Sequence, residues 1–158
     1  MWVYGRGEIF SRFEVYQLAR SAASEVFEVS KGFPREERYA LTDQIRRSAR
    51  ATKAMIAEAW ARRRYKAVSI NKLDEALGET SETQSWLDDA LDSSYLDVDQ
   101  FSRMDEAWRK IGGMLGRMID RAADFCKYAS DNDYRGMVME EPLALDDALF
   151  DHLEDGTQ

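Results

Sequence analysis

A chain of 158 residues, 44% hydrophobic and 33% charged, is sized for one globular domain with a sizeable core and solvated outer faces. No apolar run approaches the ~20 residues that span a bilayer, and one cysteine excludes an internal disulfide, so neither a membrane anchor nor a disulfide framework is expected. The net charge of −8 lies wholly in residues 131–158, where nine acids face one arginine, while residues 1–130 balance 21 basic against 21 acidic residues; the overall sign argues against indiscriminate nucleic-acid binding.

Chain order gives four helices and a tail. Ser11-Arg12-Phe13-Glu14 reads as a capping box, the serine accepting from a free N–H of the first turn and the glutamate reaching back. Val15, Ala19, Ala22, Val26 and Val29 then recur as one apolar stripe. Lys31-Gly32 ends this helix, because glycine readily takes the left-handed position after the last turn, and Phe33-Pro34 breaks the chain. After a short turn at 35–39, a second helix is expected from near Thr42 to near Arg62. Its inner face is Leu41, Ile45, Ala49, Thr52, Met55 or Ile56, and Ala59, with small neighbours that let another helix approach closely.

The third helix repeats Ile70, Leu73, Leu77, Thr80, Gln84, Leu87 and Leu91 at alternating steps of three and four, a heptad seam. Thr80 and Gln84 need hydrogen-bond partners if that seam is buried. Asp97 with Gln100 caps the next helix, whose seam runs Phe101, Met104, Trp108, Ile111, Leu115, Met118, Ala122, Phe125, Ala129. Gly112-Gly113 falls inside it, where each glycine costs up to about 1 kcal/mol relative to alanine; a close helix contact is the expected compensation, with flexibility the alternative. Four helices with short links predict an all-α, antiparallel up-down-up-down four-helix bundle over residues 1–130. Residues 131–158 form an acidic C-terminal extension, broken at Glu140-Glu141-Pro142, with an amphipathic acidic segment at 143–153.

The chemistry is concentrated in one stretch. Residues 46–66 hold eight basic residues and one acid: Arg46, Arg47, Arg50, Lys53, Arg62, Arg63, Arg64 and Lys66 against Glu58. Arginines pair phosphates in a bidentate manner, and Tyr65 or Trp60 could stack a base, so RNA or DNA is the expected ligand of this patch. The plainer reading is a solvated face neutralised by acids of a neighbouring helix or subunit. The acidic tail, complementary in charge, reads either as a competitor for the same patch or as a disordered solubilising extension. Trp60 and Trp86 fall off the seams and read as exposed aromatics at a subunit interface.

Enzymatic readings find little support. Glu58, four residues before Arg62, reads as one half of a local ion pair rather than a catalytic carboxylate. The single histidine, His152, lies in the tail, no Glu-x-x-His pattern occurs, and Gly112-Gly113 lacks the lysine of a phosphate loop, so no metal, cofactor or catalytic residue is expected. Cys126 lies beside the fourth seam and reads as packing. The opening residues lack the charged and apolar regions of a secretory signal, so a cytoplasmic location is expected.

The run Gly32-Phe33-Pro34-Arg35-Glu36-Glu37-Arg38-Tyr39, continuing to Gln44-Ile45-Arg46-Arg47-Ser48-Ala49, resembles the signature of the bacterial 23S rRNA intervening sequence proteins. Met55-Ile56-Ala57-Glu58-Ala59 resembles a family segment that usually ends in glycine, with Lys53 where the family often has proline. The stretch Ala76 to Gln84 resembles the family's third helix, and Ser94-Tyr95-Leu96 its Gly-Tyr-Leu turn. The resemblance implies a four-helix bundle assembled as a homo-oligomer, commonly a pentamer, without enzymatic activity. A related branch serves diversity-generating retroelements and binds a reverse transcriptase and nucleic acid. The resulting expectation is a non-enzymatic oligomeric scaffold that binds nucleic acid or a ribonucleoprotein partner. The alternatives are a protein-interaction oligomer without nucleic acid, or a reverse-transcriptase accessory subunit.

Overall fold

The computed structural model describes residues 13–126. Ser11, Ala129, His152 and the whole of 131–158 therefore lie outside the described residues. Four helices account for most of the rest: α1 (Glu14–Ser30), α2 (Asp43–Ala61), α3 (Lys66–Asp92) and α4 (Val98–Asp120). The four residues linking α2 to α3, 62–65, reach at most ~14 Å, while 27-residue α3 is ~40 Å long, so the chain must turn back on itself. Each helix packs on its neighbours in sequence, and α1 closes the ring against α4. This is the expected antiparallel bundle.

The helix ends have identifiable causes. Asp97 and Gln100 form the predicted capping box: the Gln100 N–H donates to Asp97 Oδ1 at 2.7 Å and the Asp97 N–H donates to Gln100 Oε1 at 3.1 Å. α1 instead begins behind an extended Phe13 with no side-chain cap, two residues later than a Ser11 cap implies. Between α1 and α2 the chain makes a 3-10 turn, Arg35–Glu37, and one π turn, Arg38–Thr42. α3 closes with the paired hydrogen bonds of a Schellman motif, Tyr95 N–H to Ala90 O at 2.8 Å and Ser94 N–H to Leu91 O at 2.9 Å. Ser94 occupies the left-handed position, φ 59°.

The core departs from the expected seams in two places. In α3 the buried residues are Ser69, Leu73, Ala76, Thr80, Thr83, Leu87 and Ala90. Leu73, Thr80 and Leu87 belong to the predicted seam; Ile70, Leu77, Gln84 and Leu91 are only half-buried. α3 makes its most extensive contact with α2, and small residues on both helices line that contact. A 2.8 Å hydroxyl–hydroxyl hydrogen bond joins Thr83 to Ser48 there, and Ser69 Oγ donates to Ala59 O at 2.9 Å. The larger residues turn toward α4, where Gln84 Nε2 donates to Asp105 Oδ1 at 2.8 Å. Thr80 donates to Ala76 O at 2.8 Å. α4 stops at Asp120 rather than running to Ala129; Ala122 stays buried, but within a 3-10 turn, Ala122–Asp124. Trp108, fully buried, fills the centre with Ile45, Ile56, Leu73, Leu87 and Leu115. A methyl group on Gly112 would meet Leu77 and Thr80 at 3.6–3.7 Å, ordinary van der Waals separation, so the glycine is not demanded by the α3–α4 contact.

Candidate nucleic-acid interface

The eight basic residues of 46–66 do not form one patch. At about 100° per residue, Arg46, Arg50 and Lys53 share a flank of α2, while Arg62 lies ~160° around the axis from Arg46. Arg62 is also ~18 Å along the axis from Arg50. The flank carrying Arg46, Arg50 and Lys53 faces α1. Arg20 of α1 joins Arg50 and Lys53 around an open cleft of about 240 Å³, which Phe27 and the carboxylate of Glu28 also line. Spacing along α2 alone gives no signal for Arg20, which arrives through helix pairing.

Phe27 of α1 organises this cluster. Its ring lies 4.7 Å from the Arg46 guanidinium, 5.3 Å from that of Arg50 and 4.9 Å from Lys31 Nζ. Cations gather over the negative face of an aromatic ring. Arg46 Nε also donates to Ser30 Oγ at 2.7 Å, which fixes the side chain across the α1–α2 seam. Arg47 points to the α3 side. Burial pushes the Glu79 carboxyl of α3 above its ordinary value, with Glu82 adding to the rise and Arg47 opposing it.

None of the eight predicted cations, nor Arg20, forms an ion pair among the described residues. Three carboxylates nearby or on α4 are paired instead with other cations: Glu25 with Arg103 at 2.8 Å, Asp105 with Arg109 at 2.7 Å, and Glu28, which itself lines the cleft, with Lys31 at 2.8 Å. The acids of neighbouring helices nearest these cations are Glu28, which lines the cleft, and Glu79, which faces Arg47; neither forms an ion pair with them.

The second group, residues 62–66, sits at the α2–α3 turn. Arg62 and Arg64 are exposed, while Arg63 and Lys66 are half-buried. Arg63 lies 3.9 Å over the Trp60 ring, and its Nη1 donates to Trp60 O at 2.8 Å. Trp60 itself corrects an expectation: it is 7% exposed, not an outward-facing aromatic. Phe13 packs edge-on against it at 4.5 Å and Phe125 lies 6.4 Å away, and the ring also lines the hollow at this end of the bundle. Tyr65 is half-buried as the extended residue before α3. Trp86 is half-buried against the core edge and donates Nε1–H to Glu82 Oε1 at 3.1 Å.

Other chemistry is sparse. Glu58 pairs not with Arg62 but across the helix interface with Lys72 of α3, at 3.3 Å. Lys72 is shared with Glu75 at 2.8 Å. Burial pushes the Cys126 thiol above its ordinary value, against the opposing effects of Ser69, Lys66 and Arg63, which is the reverse of an activated nucleophile. An apolar hollow of about 300 Å³, lined by Phe13, Trp60, Met114, Met118 and Phe125, opens at one end of the bundle. Its two carboxylates are each held by a cation, Asp124 by Arg121 at 2.8 Å and Glu14 by Lys110 at 3.6 Å. Among the described residues no group of His, Cys, Asp and Glu is arranged to hold a metal ion, and no helix is long and apolar enough to cross a membrane.

The bundle and its signature turn are matched by a known family. The family model described as 23S rRNA-intervening sequence protein matches residues 11–117. The chain belongs to this family. The match spans α1 through most of α4 and so contains the whole α1–α2 basic face. Among solved structures, the chain is similar to a protein of unknown function from the S23 ribosomal protein family of Bacteroides thetaiotaomicron VPI-5482. The two are 27% identical with a TM-score of 0.62, over 66% of this chain and 97% of that one. No curated protein matches the chain.

Proposed function

We propose that the protein is a non-enzymatic scaffold that holds the phosphate backbone of a nucleic acid on the α1–α2 face. The observation that carries this reading is the set Arg20, Arg46, Arg50 and Lys53, gathered around Phe27 and free of ion pairs among the described residues. Clustered cations repel one another unless an anion joins them, and arginine forks match phosphate oxygens. Arg46 and Arg50 are held over a ring, so less side-chain freedom is lost when a phosphate binds. Residues 62–66 take a lesser part in this reading, because Arg63 serves the end of α2. Assembly as a homo-oligomer would repeat the face around a ring and raise avidity for a long strand.

The test is a salt titration of affinity for short RNA and DNA strands, read by fluorescence anisotropy on the full chain. Four phosphate contacts on a single strand give a log–log slope near −2.8, so affinity falls ~50-fold between 50 and 200 mM salt. The double variant Arg50→Glu, Lys53→Glu should abolish binding while leaving the thermal midpoint nearly unchanged. Binding that persists in that variant, or that ignores salt, rejects the assignment.

A further inference from the structure

The π turn before α2 re-aims two side chains. In an unbroken α-helix Arg38, seven residues before Ile45, would share its inward face, because seven residues make about two turns. The i→i+5 turn Arg38–Thr42 takes one residue more, so the residues before it are set back by roughly one position. Arg38 is thereby turned outward toward the flank of Arg46, Arg50 and Lys53, and Tyr39 is turned fully into solvent. Exposure follows this register: Arg38 and Ala40 are exposed, Tyr39 is 78% exposed, and Leu41 and Thr42 are buried. Tyr39 is the most exposed large hydrophobic side chain among the described residues. The Arg38 guanidinium lies 5.4 Å from the centre of its ring.

An aromatic ring in water, beside an arginine that itself lies on the flank of the α2 cations, has the composition of a base-stacking platform. We propose that Tyr39 stacks an unpaired base of a strand whose phosphates lie along Arg46, Arg50 and Lys53, which makes the ligand single-stranded. From Tyr39 to Lys53 the helix rises about 21 Å, room for a short run of nucleotides. A duplex keeps its bases inside and offers no face to a ring projecting from a helix surface. Between residues 38 and 57 Asp43 is the one carboxylate against five cations, while Glu36 and Glu37 precede Arg38 and Glu28 lines the cleft, so the positive excess is concentrated on the α2 side. This inference rests on the phosphate-binding reading above and goes beyond it by naming the strand type and a residue that reads bases rather than phosphates.

The experiment compares the full-length chain with Tyr39→Ala, Tyr39→Phe and Tyr39→Trp on one RNA sequence, single-stranded and annealed, across salt. Tyr39→Ala should lose roughly 5- to 100-fold affinity for the single strand. Its duplex affinity and salt slope should stay as in the parent, and Phe and Trp should restore single-strand binding to within a few-fold. Equal losses on both strand types, or no loss, overturn the stacking role. A change of native mass in Tyr39→Ala also overturns it, by making the ring a subunit contact. Loss of binding in Arg50→Glu, Lys53→Glu without loss in Tyr39→Ala removes the stacking and leaves the charged face standing; absence of salt-dependent binding in the parent removes both.

Discussion

Two adjacent serines at the end of α3 should respond to glycine with opposite signs. Ser93 has φ −83° and Ser94 φ 59°. Both are exposed, so core packing does not enter the comparison, and the Ser93 side chain's hydrogen bond with Tyr95 only adds to the loss when Ser93 is replaced. A residue with a Cβ held in the left-handed region costs roughly 1–2 kcal/mol, which glycine does not. Glycine adds unfolded-state freedom worth about 0.5–1 kcal/mol. The difference makes Ser94→Gly stabilising by about 0.5–1 kcal/mol, equivalent to ~2–6 °C in midpoint for a domain of this size. Ser93→Gly gains no steric relief and keeps the entropic cost, so it should destabilise by about 0.5–1 kcal/mol. Urea unfolding followed by helical circular dichroism reads both, and the slope should stay constant so that the midpoints report stability. If the two variants shift the midpoint in the same direction, the left-handed assignment at Ser94 is wrong.

Asp105, 8% exposed, accepts from Gln84 at 2.8 Å and pairs with Arg109 at 2.7 Å. Asp105→Ala should cost about 2–3 kcal/mol by stranding the Gln84 amide at the α3–α4 contact, whereas Arg109→Ala should cost well under 1 kcal/mol because that side chain is 75% exposed; urea midpoints distinguish them. The Cys126 thiol, raised by burial, should react slowly with a disulfide reagent at neutral pH and accelerate only above the ordinary thiol range, while the urea-unfolded chain reacts at once. The linkage follows: folding favours the protonated thiol, so this contribution to stability is intact below the unfolded pKa and fades as pH rises through the raised folded value.

Much of the fold was legible because large apolar residues repeat at helical spacing, and the capping box at Asp97 and Gln100 could be read directly. The rest was hidden for physical reasons. Counting large side chains placed Ile70, Leu77 and Leu91 on the buried seam of α3. The closest helix contact, against α2, buries small residues instead, so the true seam passes through Ser69, Ala76, Thr83 and Ala90. α4 was read too long because Ala122 keeps facing the core after the α-helical hydrogen bonds end, and periodicity of burial does not register that ending. For the candidate site, residues 46–66 were legible as basic but not as divided. Division follows from rotation about one axis, and Arg20 and Tyr39 join only through helix pairing and the π turn.

That division separates two roles that charge counting merges, and Arg63 is where they part. Its guanidinium caps the last turn of α2 through the Trp60 carbonyl and covers the Trp60 ring, a position where a cation also meets the negative end of the helix dipole. Arg63→Ala should therefore cost about 1–2 kcal/mol of stability, from one charge-assisted hydrogen bond and one half-buried cation–π contact. Its effect on nucleic-acid affinity should be small. Arg50→Ala should do the reverse, since Arg50 is exposed and makes only the longer contact with Phe27. Measuring urea midpoint and strand affinity on both variants places each residue on one axis or the other. Should Arg63→Ala weaken binding as much as Arg50→Ala while leaving the midpoint in place, the α2–α3 turn belongs to the ligand surface after all. The strand would then have to pass around the end of the bundle rather than along the α1–α2 flank.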